Sequence, residues 1–265
     1  SEFIANMSHE LRTPLNSLLI MARLLGDNRH GNLTTEQVKY AQTIEGAGND
    51  LLTLINDILD ISKIEAGRLE IQAKRVRVPT VIESLRKEFE LVAKEKHIDL
   101  KFVVDADAPA ELEIDALRLQ QILKNFLSNA LKFTQQGEVA LAVRGLADGR
   151  MAFAVRDTGI GIAAEQHETI FEAFQQADGT INRNFGGTGL GLSISRELAR
   201  LLGGIIKVES TADRGSTFTL EVPLVYQAEA VQARVVGGSE GSLILKKDVP
   251  QSRHTPSRSS ASERP

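Results

Sequence analysis

Apolar residues recur every three or four positions over residues 3–25 and again over residues 35–67, and this spacing predicts two long amphipathic helices. A short polar segment, residues 26–32, separates them, and either Thr34 or Thr35 can cap the second helix. Because the connection is short, the two helices should run antiparallel. Their apolar positions are Ile4, Met7, Leu11, Leu15, Leu18, Leu19, Ala22 and Leu25, then Val38, Ala41, Ile44, Gly48, Leu51, Leu52, Ile55, Ile58 and Leu59.

One face of each predicted helix is apolar, and a hairpin of two helices cannot bury both faces by itself. Pairing with a second copy of the chain would complete the core as a four-helix bundle around a two-fold axis. The pattern therefore predicts a homodimer that forms through residues 1–67.

After Gly67 the pattern changes to short alternating runs between longer helical runs, which predicts an α/β sandwich domain with one sheet covered by helices. The predicted strands are 69–71, 98–104, 138–144, 151–156, 205–209 and 216–222, and the predicted helices are 79–96, 115–133 and 190–202. The expected division is 1–67 for the helical domain, 68–78 for an interdomain linker, 79–225 for the second domain and 226–265 for a linker or disordered tail.

Composition narrows the range of functions. The formal net charge of -4 gives no electrostatic reason to expect a nucleic-acid partner. The absence of cysteine excludes disulfides, thiolate metal sites and cysteine nucleophiles. No run of about 18 apolar residues and no signal sequence occurs, so we expect no membrane segment in this chain. We expect a cytoplasmic location, which the lack of cysteine suits, for a chain that is either a soluble sensor or a fragment of a longer, membrane-attached one.

His9 is the first residue with potential chemistry, and it lies on the polar side of the first predicted helix, two residues from both Met7 and Leu11. A lone histidine on a helix is usually an ordinary surface residue, so its neighbours decide the interpretation. The carboxylate of Glu10 could keep one ring nitrogen protonated and leave the other as a nucleophile. Pro14 removes a helical hydrogen bond one turn later, which predicts a kink, with a tolerated structural bend as the alternative.

A polar stripe follows one face of the helix predicted at 115–133: Arg118, Gln121, Asn125, Asn129 and Lys132 are spaced by three or four residues. An ordinary solvated face would explain the stripe equally well if it stood alone. Two asparagine oxygens one turn apart, however, suit a hydrated Mg²⁺, and a lysine one turn later can neutralise phosphate.

Two glycine-containing segments complete the candidate chemistry. Asp157 follows a predicted strand, where its carboxylate can accept a hydrogen bond from an amine, and Gly159 and Gly161 allow close approach of a flat base. Each segment alone could be a plain turn. The second segment, residues 186–193, leads into a helix whose first N–H groups can hold phosphate oxygens.

These motifs resemble those of sensor histidine kinases. Residues 3–15, Phe-Ile-Ala-Asn-Met-Ser-His-Glu-Leu-Arg-Thr-Pro-Leu, resemble the phosphoacceptor box of that family, and residues 121–134 resemble its asparagine box. The two glycine segments, with residues 171–174 between them, look like the ATP-binding fold shared by histidine kinases, Hsp90 chaperones, type II topoisomerases and MutL proteins. The resemblance covers residues 1–225 and is strongest to the hybrid subclass.

The resemblance implies a role for each matching residue. It makes His9 the phosphorylated residue, Glu10 its hydrogen-bonding partner and general base, and Thr13 the residue that positions water in a phosphatase reaction. Asn129 becomes the first choice as Mg²⁺ ligand, with Asn125 beside it. In the nucleotide site, Asp157 would bind the adenine amine, Gly159 and Gly161 would shape the base pocket, and residues 163–187 would form a lid packed by Phe171 and Phe174. Simple core filling is the alternative role for the two phenylalanines. The same site would include Lys132, Gly187, Thr188, Gly189, Leu190, Gly191 and Thr217.

The function implied is autophosphorylation of His9 with ATP and Mg²⁺, followed by transfer to an aspartate of a response-regulator receiver domain and accompanied by phosphatase activity. That receiver domain would belong to another polypeptide or to a segment outside this sequence. Because His9 and the nucleotide site lie in different predicted domains, transfer would require domain motion.

Two other functions would use the same motifs. A non-kinase ATPase of the chaperone or mismatch-repair type normally has a water-activating glutamate one turn before the metal-binding asparagine, and Asn125 occupies that position here. An inactive dimerisation and adaptor module would not need intact His9, Asn129 and glycine segments. Both alternatives fit the sequence less well than the kinase.

Overall fold

The computed structural model describes residues 2–173 and 189–228, with side chains from residue 10 onward. The chain begins with two antiparallel helices, α1 (Glu2–Asp27) and α2 (Thr35–Glu65), as the apolar spacing predicts. Thr34 is the residue that caps α2. Its hydroxyl accepts a hydrogen bond from the Gln37 N–H at 3.2 Å, while the Gln37 side chain accepts one from the Thr34 N–H at 2.9 Å.

The two helices pack along their whole length in a fixed register. Near one end the Arg12 side chain donates to Asn56 at 2.8 Å, and further along Gly48 lies against Leu19, where a Cβ would come within 2.7 Å of the leucine. The helix α1 is continuous through Pro14. The kink expected there stays a prediction.

The hairpin leaves much of its apolar surface open. Among its described side chains, those that are fully buried are Leu15, Ala22 and Ala41. Six others, spaced by seven residues on each helix, are between 39% and 58% exposed: Leu11, Leu18 and Leu25 on α1, and Ile44, Leu51 and Ile58 on α2. A spacing of seven residues keeps side chains on one side of a helix, so each helix carries an unburied apolar stripe.

The second part of the described chain is an α/β sandwich. Its helices are α3 (Val78–Glu95), α4 (Ala116–Phe133) and α5 (Gly191–Leu201), together with two short 3₁₀ turns, Ala164–Gln166 and Thr169–Phe171. Its strands are β1 (Lys74–Arg77), β2 (Ile98–Val104), β3 (Glu111–Ile114), β4 (Gly137–Gly145), β5 (Arg150–Asp157), β6 (Ile205–Thr211) and β7 (Gly215–Pro223).

Five of the strands form one sheet in the order β2-β4-β5-β7-β6, in which β2 and β4 are parallel and the other pairs are antiparallel. The strands β1 and β3 form a separate antiparallel pair. Alternate strand residues, among them Val139, Leu141 and Phe153, are fully buried in one cluster with the apolar faces of α3, α4 and α5. The sheet therefore has its helices on the face that holds the core, as predicted.

One predicted strand is wrong. Residues 69–71 have no strand structure, and β1 begins at Lys74. Leu69 and Ile71 are partly buried against the domain core, and the N–H of Gln72 donates to the Asp115 carboxylate at 3.0 Å. The alternation of Leu69 and Ile71 therefore reflects packing of an extended segment, because its next backbone N–H is bound by a side chain and not by another strand.

Within the described residues, every helix is too short or too polar to span a lipid bilayer. Residues 226–228 are the only part of the predicted 226–265 tail that the structure describes.

Candidate functional site

The polar stripe predicted on α4 is present on one face of that helix, opposite its buried residues. Asp115 caps the helix by accepting hydrogen bonds from the N–H groups of Leu117 at 3.0 Å and Arg118 at 3.2 Å. Leu119, Ile122, Leu123 and Phe126 are buried in the core, whereas the stripe residues Arg118, Gln121, Asn125, Asn129 and Lys132 are half-buried.

Asn125 stands at the meeting point of the stripe and the second glycine segment. Its amide donates to the Ser195 hydroxyl of α5 at 2.9 Å, and its oxygen accepts from the Asn129 amide at 3.3 Å. A Cβ at Gly191 would lie only 2.4 Å from that oxygen, so the start of α5 can approach Asn125 because residue 191 is glycine. The fold thus brings the asparagine stripe to a helix N-terminus, as a phosphate site requires.

The donors at this place fit a metal that arrives with a nucleotide. Among the described residues, no cluster of three or more His, Cys, Asp or Glu side chains could hold a metal ion alone. Mg²⁺ commonly takes one or two protein oxygens and completes its octahedron with phosphate and water. The side-chain oxygens of Asn125 and Asn129, one turn apart beside the start of α5, match that mode of binding.

Lys132 is the cation of this face, one turn beyond Asn129. Burial lowers the pKa of its ammonium group, and the nearby Asp50 carboxylate of α2 opposes that effect by raising it. The ammonium group lies 4.7 Å from the centre of the Phe133 ring. A partly desolvated cation attracts an anionic ligand more strongly than an exposed one does.

Asp157, at the end of β5, is a buried carboxylate. Burial raises its pKa, while hydrogen bonds from the backbone N–H groups of Gly159, at 2.8 Å, and Ser216 lower it. A carboxylate held by two donors in an apolar wall is fixed in orientation. It can therefore select one amine edge of a flat ligand.

The two glycines that follow Asp157 are required by close backbone contacts. A Cβ at Gly159 would lie 2.5 Å from the Phe133 carbonyl, and one at Gly161 would lie 2.0 Å from the Thr211 carbonyl. Gly161 also has a φ of +64°, a conformation that other residues rarely adopt. The loop is thereby pressed between the end of α4 and the hairpin of β6 and β7.

The structure does not bring the predicted residue Thr217 to Asp157. Thr217 pairs with Arg156, so both side chains point to the sheet face opposite Asp157. Ser216 contacts the carboxylate through its backbone N–H, and its hydroxyl oxygen lies 2.9 Å from that of Ser210. Both serines occupy core-facing positions of their strands. A polar residue at a position where the strand pattern calls for an apolar one is the signal that could have revealed them.

Of the residues predicted for the lid and the adjoining helix start, some lie in the core and others lie outside the described residues. Phe171 is fully buried in the core cluster, with the Arg196 guanidinium 5.7 Å from its ring centre, which supports core filling as its role. Leu190 is also fully buried and anchors the start of α5, next to Gly189, which has a φ of +71°. Phe174, Gly187 and Thr188 lie outside the described residues.

The proposed phosphoacceptor region lies on the hairpin. His9 belongs to α1, and its side chain lies outside what the structure describes; Glu10 and Thr13 are exposed. Continuing the register in which Arg12 faces Asn56 brings the backbone of His9 level with residues 59–60 of α2. The site residues of the hairpin therefore lie near its end distal from the Thr34 loop.

The first two residues of the α4 stripe contact the hairpin at that same level. The Asp60 carboxylate of α2 accepts hydrogen bonds from Arg118 at 3.1 Å and from Gln121 at 2.8 Å. The ion pair is well shielded, since the side chains of Arg118 and Asp60 are 16% and 15% exposed. Leu54, Ile61 and Ile64 of α2 pack against the domain core beside it. The stripe therefore serves two purposes: Arg118 and Gln121 bind the hairpin, whereas Asn125 binds α5, and Lys132 beyond them again lies near Asp50 of α2.

Two protein-family models match this chain. The His Kinase A (phospho-acceptor) domain matches residues 1–67, and the histidine kinase-, DNA gyrase B- and HSP90-like ATPase matches residues 114–226. The two matches coincide with the hairpin and with most of the α/β sandwich, including α4, α5 and Asp157.

Curated relatives of similar sequence are sensor kinases. The sensor protein GacS of Pseudomonas syringae pv. syringae is 42% identical over 229 residues, which cover 84% of this chain and 25% of GacS. The circadian input-output histidine kinase CikA of Synechococcus elongatus is 43% identical over 239 residues, 88% of this chain and 31% of CikA. The chain thus spans a quarter to a third of the length of these relatives.

Solved structures show the same arrangement of domains. Full-length ShkA in complex with AMPPNP superimposes with a TM-score of 0.70 at 37% identity, over 88% of this chain and 48% of ShkA. The complex of histidine kinase ThkA with the response regulator protein TrrA matches with a TM-score of 0.57 at 24% identity, over 86% of this chain and 62% of that one, and this likeness supports the fold alone. Residues 1–226 therefore carry the phosphoacceptor and ATP-binding domains of a protein histidine kinase, and the chain belongs to the sensor histidine kinase family.

Proposed function

We propose that this chain transfers the γ-phosphoryl group of ATP to His9 and then to an aspartate of a response-regulator receiver domain. The observation that carries the proposal is the position of Asn125 between Asn129 and the start of α5, in the same domain as the buried Asp157. Binding of AMPPNP by the related ShkA supports ATP as the nucleotide.

In the first step an imidazole nitrogen of His9 attacks the γ-phosphorus. The bond from that phosphorus to the β–γ bridging oxygen breaks, so phosphohistidine and ADP are the products. Glu10 would accept the hydrogen bond of the other ring nitrogen and remove its proton as the new bond forms. Bound Mg²⁺ would neutralise phosphate charge. Asn129 and Asn125 would hold it, and Lys132 would add a positive charge on the same face.

The base end of the nucleotide would lie against Asp157. The ionised carboxylate would accept a hydrogen bond from an exocyclic amine. Gly159 and Gly161 let the loop pack directly against the Phe133 and Thr211 carbonyls, and the loop so held would form one wall of the base pocket. Gly187, Thr188, Gly189, Leu190 and Gly191 would bind the phosphates through the N-terminus of α5. We assign Ser216 to the base site in place of Thr217.

We also propose that the working unit is a homodimer through residues 1–67. The two apolar stripes of the hairpin, Leu11-Leu18-Leu25 and Ile44-Leu51-Ile58, are unburied within one chain and have the seven-residue spacing of a helical bundle. A second copy would bury both in a four-helix bundle. The domain division proposed is 1–67, a linker at 68–78, and 79–225.

The partner in the second step would be a receiver domain on another chain or in a segment outside this sequence. ThkA, a protein of the same fold, was solved in complex with the response regulator protein TrrA, which supports this partner. A phosphatase reaction that uses Thr13 to position water is a further expectation. Consumption of ATP supports a cytoplasmic location for both domains.

A nucleotide-driven ATPase without a phosphoacceptor is the second candidate function, since the ATPase family model includes HSP90-like and gyrase-like proteins. Asn125 donates to Ser195, and a neutral amide in that place cannot activate water as a glutamate would. The two functions differ in their products, because the ATPase releases inorganic phosphate and the kinase retains the phosphoryl group on the chain.

Incubation with γ-labelled ATP and Mg²⁺ separates the two functions. We expect label on the protein that is lost in acid and stable in alkali, the behaviour of a phosphoramidate, and loss of that label when an acceptor receiver domain is added. Release of inorganic phosphate without protein-bound label would support the ATPase and contradict the kinase.

A further inference from the structure

The loop that follows β5, residues 158–162, forms a wall beside the Asp157 carboxylate, and neighbouring elements hold it from several sides. The carbonyl of Ile160 accepts a hydrogen bond from the Asp213 N–H in the turn between β6 and β7 at 2.7 Å. The N–H of Ile160 points to the Phe133 carbonyl at the end of α4, at 3.4 Å. Both bonds involve Ile160, in the middle of the loop, and the second is long. The end of the loop at Ile162 must therefore be fixed by other contacts.

Ser210 of β6 fixes that far end. Its hydroxyl oxygen accepts the N–H of Ile162 at 2.8 Å and also lies 3.0 Å from the Gly215 carbonyl and 2.9 Å from the Ser216 hydroxyl. A hydroxyl has one donor and two acceptor positions. One assignment satisfies every group: Ser210 donates to Gly215 and accepts from both Ile162 and Ser216. The hydroxyl is therefore fully used, and it links the loop to the strand that approaches Asp157.

His167 binds the other backbone polar group of Ile162. Its ring nitrogen Nε2 lies 3.2 Å from the Ile162 carbonyl, and because a carbonyl only accepts, Nε2 must carry the hydrogen. The residue sits between the two 3₁₀ turns, Ala164–Gln166 and Thr169–Phe171. Ile162 is thus held by its N–H from β6 and by its carbonyl from the segment that continues toward residue 174.

We infer that Ser210 is a positioning residue for the adenine nucleotide, with His167 in a supporting role. Neither side chain needs to touch the base. Ser210 fixes the backbone of Ile162, and this keeps the adjoining Gly161, at its φ of +64°, in place beside Asp157. Without the hydroxyl, the loop would have to be ordered when the nucleotide binds, and that cost would appear as weaker nucleotide binding. The inference rests on the proposed function.

The effect should be confined to binding, because the groups assigned to the phosphates lie on α4 and at the start of α5. Affinity for AMPPNP and for ADP should therefore fall by the same factor, and the rate of phosphoryl transfer at saturating ATP should not change. A residue that only supports folding would lower the amount of active protein and would reduce the apparent transfer rate.

Ser210→Thr and Ser210→Val test the inference, since the two variants have the same shape and differ only in the hydroxyl. We expect Ser210→Val to raise the KM for ATP and the Kd for AMPPNP and ADP by roughly five- to twentyfold, with kcat within about twofold of the unmodified chain. Ser210→Thr should keep all three constants within about twofold. Equal behaviour of the two variants, or a fall in kcat at unchanged KM, would overturn the inference.

Two substitutions of His167 provide a second measurement if Ser210→Val does not fold. Gln at position 167 can present an N–H to the Ile162 carbonyl, and Leu cannot, so His167→Leu should weaken AMPPNP binding more than His167→Gln. Identical affinities would count against the network. Titration of the unmodified chain with AMPPNP belongs in the same experiment, because failure of that control would refute the proposed function, whereas binding unaffected by any variant would refute only this inference.

Discussion

The two domains of this chain differ in how completely each buries its own apolar residues. The α/β sandwich buries a continuous core between one face of its sheet and three helices, so its fold is complete within one chain. The hairpin buries few of its described side chains and leaves two apolar stripes open, one on each helix. The residues proposed for the nucleotide site therefore lie in a domain that folds within one chain, whereas the hairpin is the part that the proposed second copy would complete.

Where the two domains meet, the contact is specific. Asp60 of the hairpin binds Arg118 and Gln121, which share a helix face with Asn125 and Asn129. Asn125 lies one turn after Gln121 and Asn129 lies two turns after it, which is about 6 and 12 Å along the helix. Because His9 is level with Asp60 while Lys132 lies near Asp50, this docked position leaves the proposed metal site offset from His9 along α2. The domain motion expected from the sequence would therefore break the Asp60 contact.

The largest effect is expected for Asn129→Asp, which should lower phosphorylation of the chain at least roughly 100-fold by replacing a neutral metal ligand with a charge next to the phosphates. The dimer should be unchanged, since residue 129 belongs to α4 of the sandwich and not to either apolar stripe of the hairpin. Transfer of label from γ-labelled ATP measures the first effect, and sedimentation measures the second. Ser128→Asp adds the same charge to an exposed position of α4 and should retain labelling. Equal losses in both variants would refute the assigned role of Asn129.

Leu51→Asp should have the opposite consequences, because it should weaken the dimer and leave nucleotide binding unchanged. Each copy would lose about 1.5–3 kcal/mol of apolar burial, and a dimer contains two copies, so the dimer should weaken by roughly 100-fold or more. AMPPNP affinity should stay within about twofold. Leu91→Asp is the control, because Leu91 is a comparably exposed leucine on α3 of the sandwich. If Leu91→Asp dissociates the dimer and Leu51→Asp does not, the dimer interface lies on the sandwich and not on the hairpin.

Asp157→Asn should weaken AMPPNP binding by about 10- to 100-fold, the loss expected for a charged hydrogen bond, with a melting temperature no lower than that of the unmodified chain. Burial raises the pKa of Asp157, so its charged form is disfavoured in the folded state. The destabilisation this causes is fully present above the raised pKa and is relieved as the pH falls through it. A variant that loses binding only because it has unfolded would contradict the assignment.

The pH dependence of binding should have the opposite sign. The Asp157 carboxylate must be ionised to accept from an amine, so AMPPNP affinity should fall as the pH is lowered through the raised pKa, while this residue's contribution to stability improves. In Asp157→Asn that part of the pH dependence should disappear. Calorimetric titration at several pH values provides the measurement, and a profile unchanged by the substitution would exclude Asp157 as the titrating group.

The smallest effect is expected for Asp60→Asn. Asn keeps an acceptor oxygen, so losing only the charge should weaken domain docking by about 0.5–1.5 kcal/mol, without changing the dimer. Because the sequence has no cysteine, spin labels on Thr43→Cys and Asp148→Cys would report the distance between the domains. The distance distribution should broaden in Asp60→Asn. Glu65→Gln, which removes a charge from an exposed position of the same helix, should leave the distribution narrow, and equal broadening in both would contradict a specific contact.

Local periodicity was sufficient to predict most of the fold. The strand 98–104 was predicted to the residue, and the helices at 79–96 and 115–133 to within one or two residues, because each has an apolar pattern of a single period. The pair of β1 and β3 was not predicted. Both are four-residue strands that owe their structure to each other across more than thirty positions, and such pairing leaves little local signal.

The structure brings together those candidate residues that one helix or one glycine segment defines, and it differs from the sequence-based expectation where distant strands meet. Asn125, Asn129 and Asp157 lie in motifs whose spacing fixes their direction. The choice between Ser216 and Thr217 depends on which residue of β7 shares a sheet face with Asp157, and a shift of one residue reverses the answer. The Asp60 contact joins two domains through residues 58 positions apart, and nothing in the sequence between them indicates it.

The position of the phosphoryl group on the chain decides whether His9 is the phosphoacceptor. After incubation with γ-labelled ATP and Mg²⁺, we expect an acid-labile label on the peptide that contains His9, and no label when His9→Gln is treated in the same way. His30→Gln, which changes a histidine in the loop between the two helices, should be labelled like the unmodified chain. Label that persists in His9→Gln, or that maps to any other residue, would contradict the account.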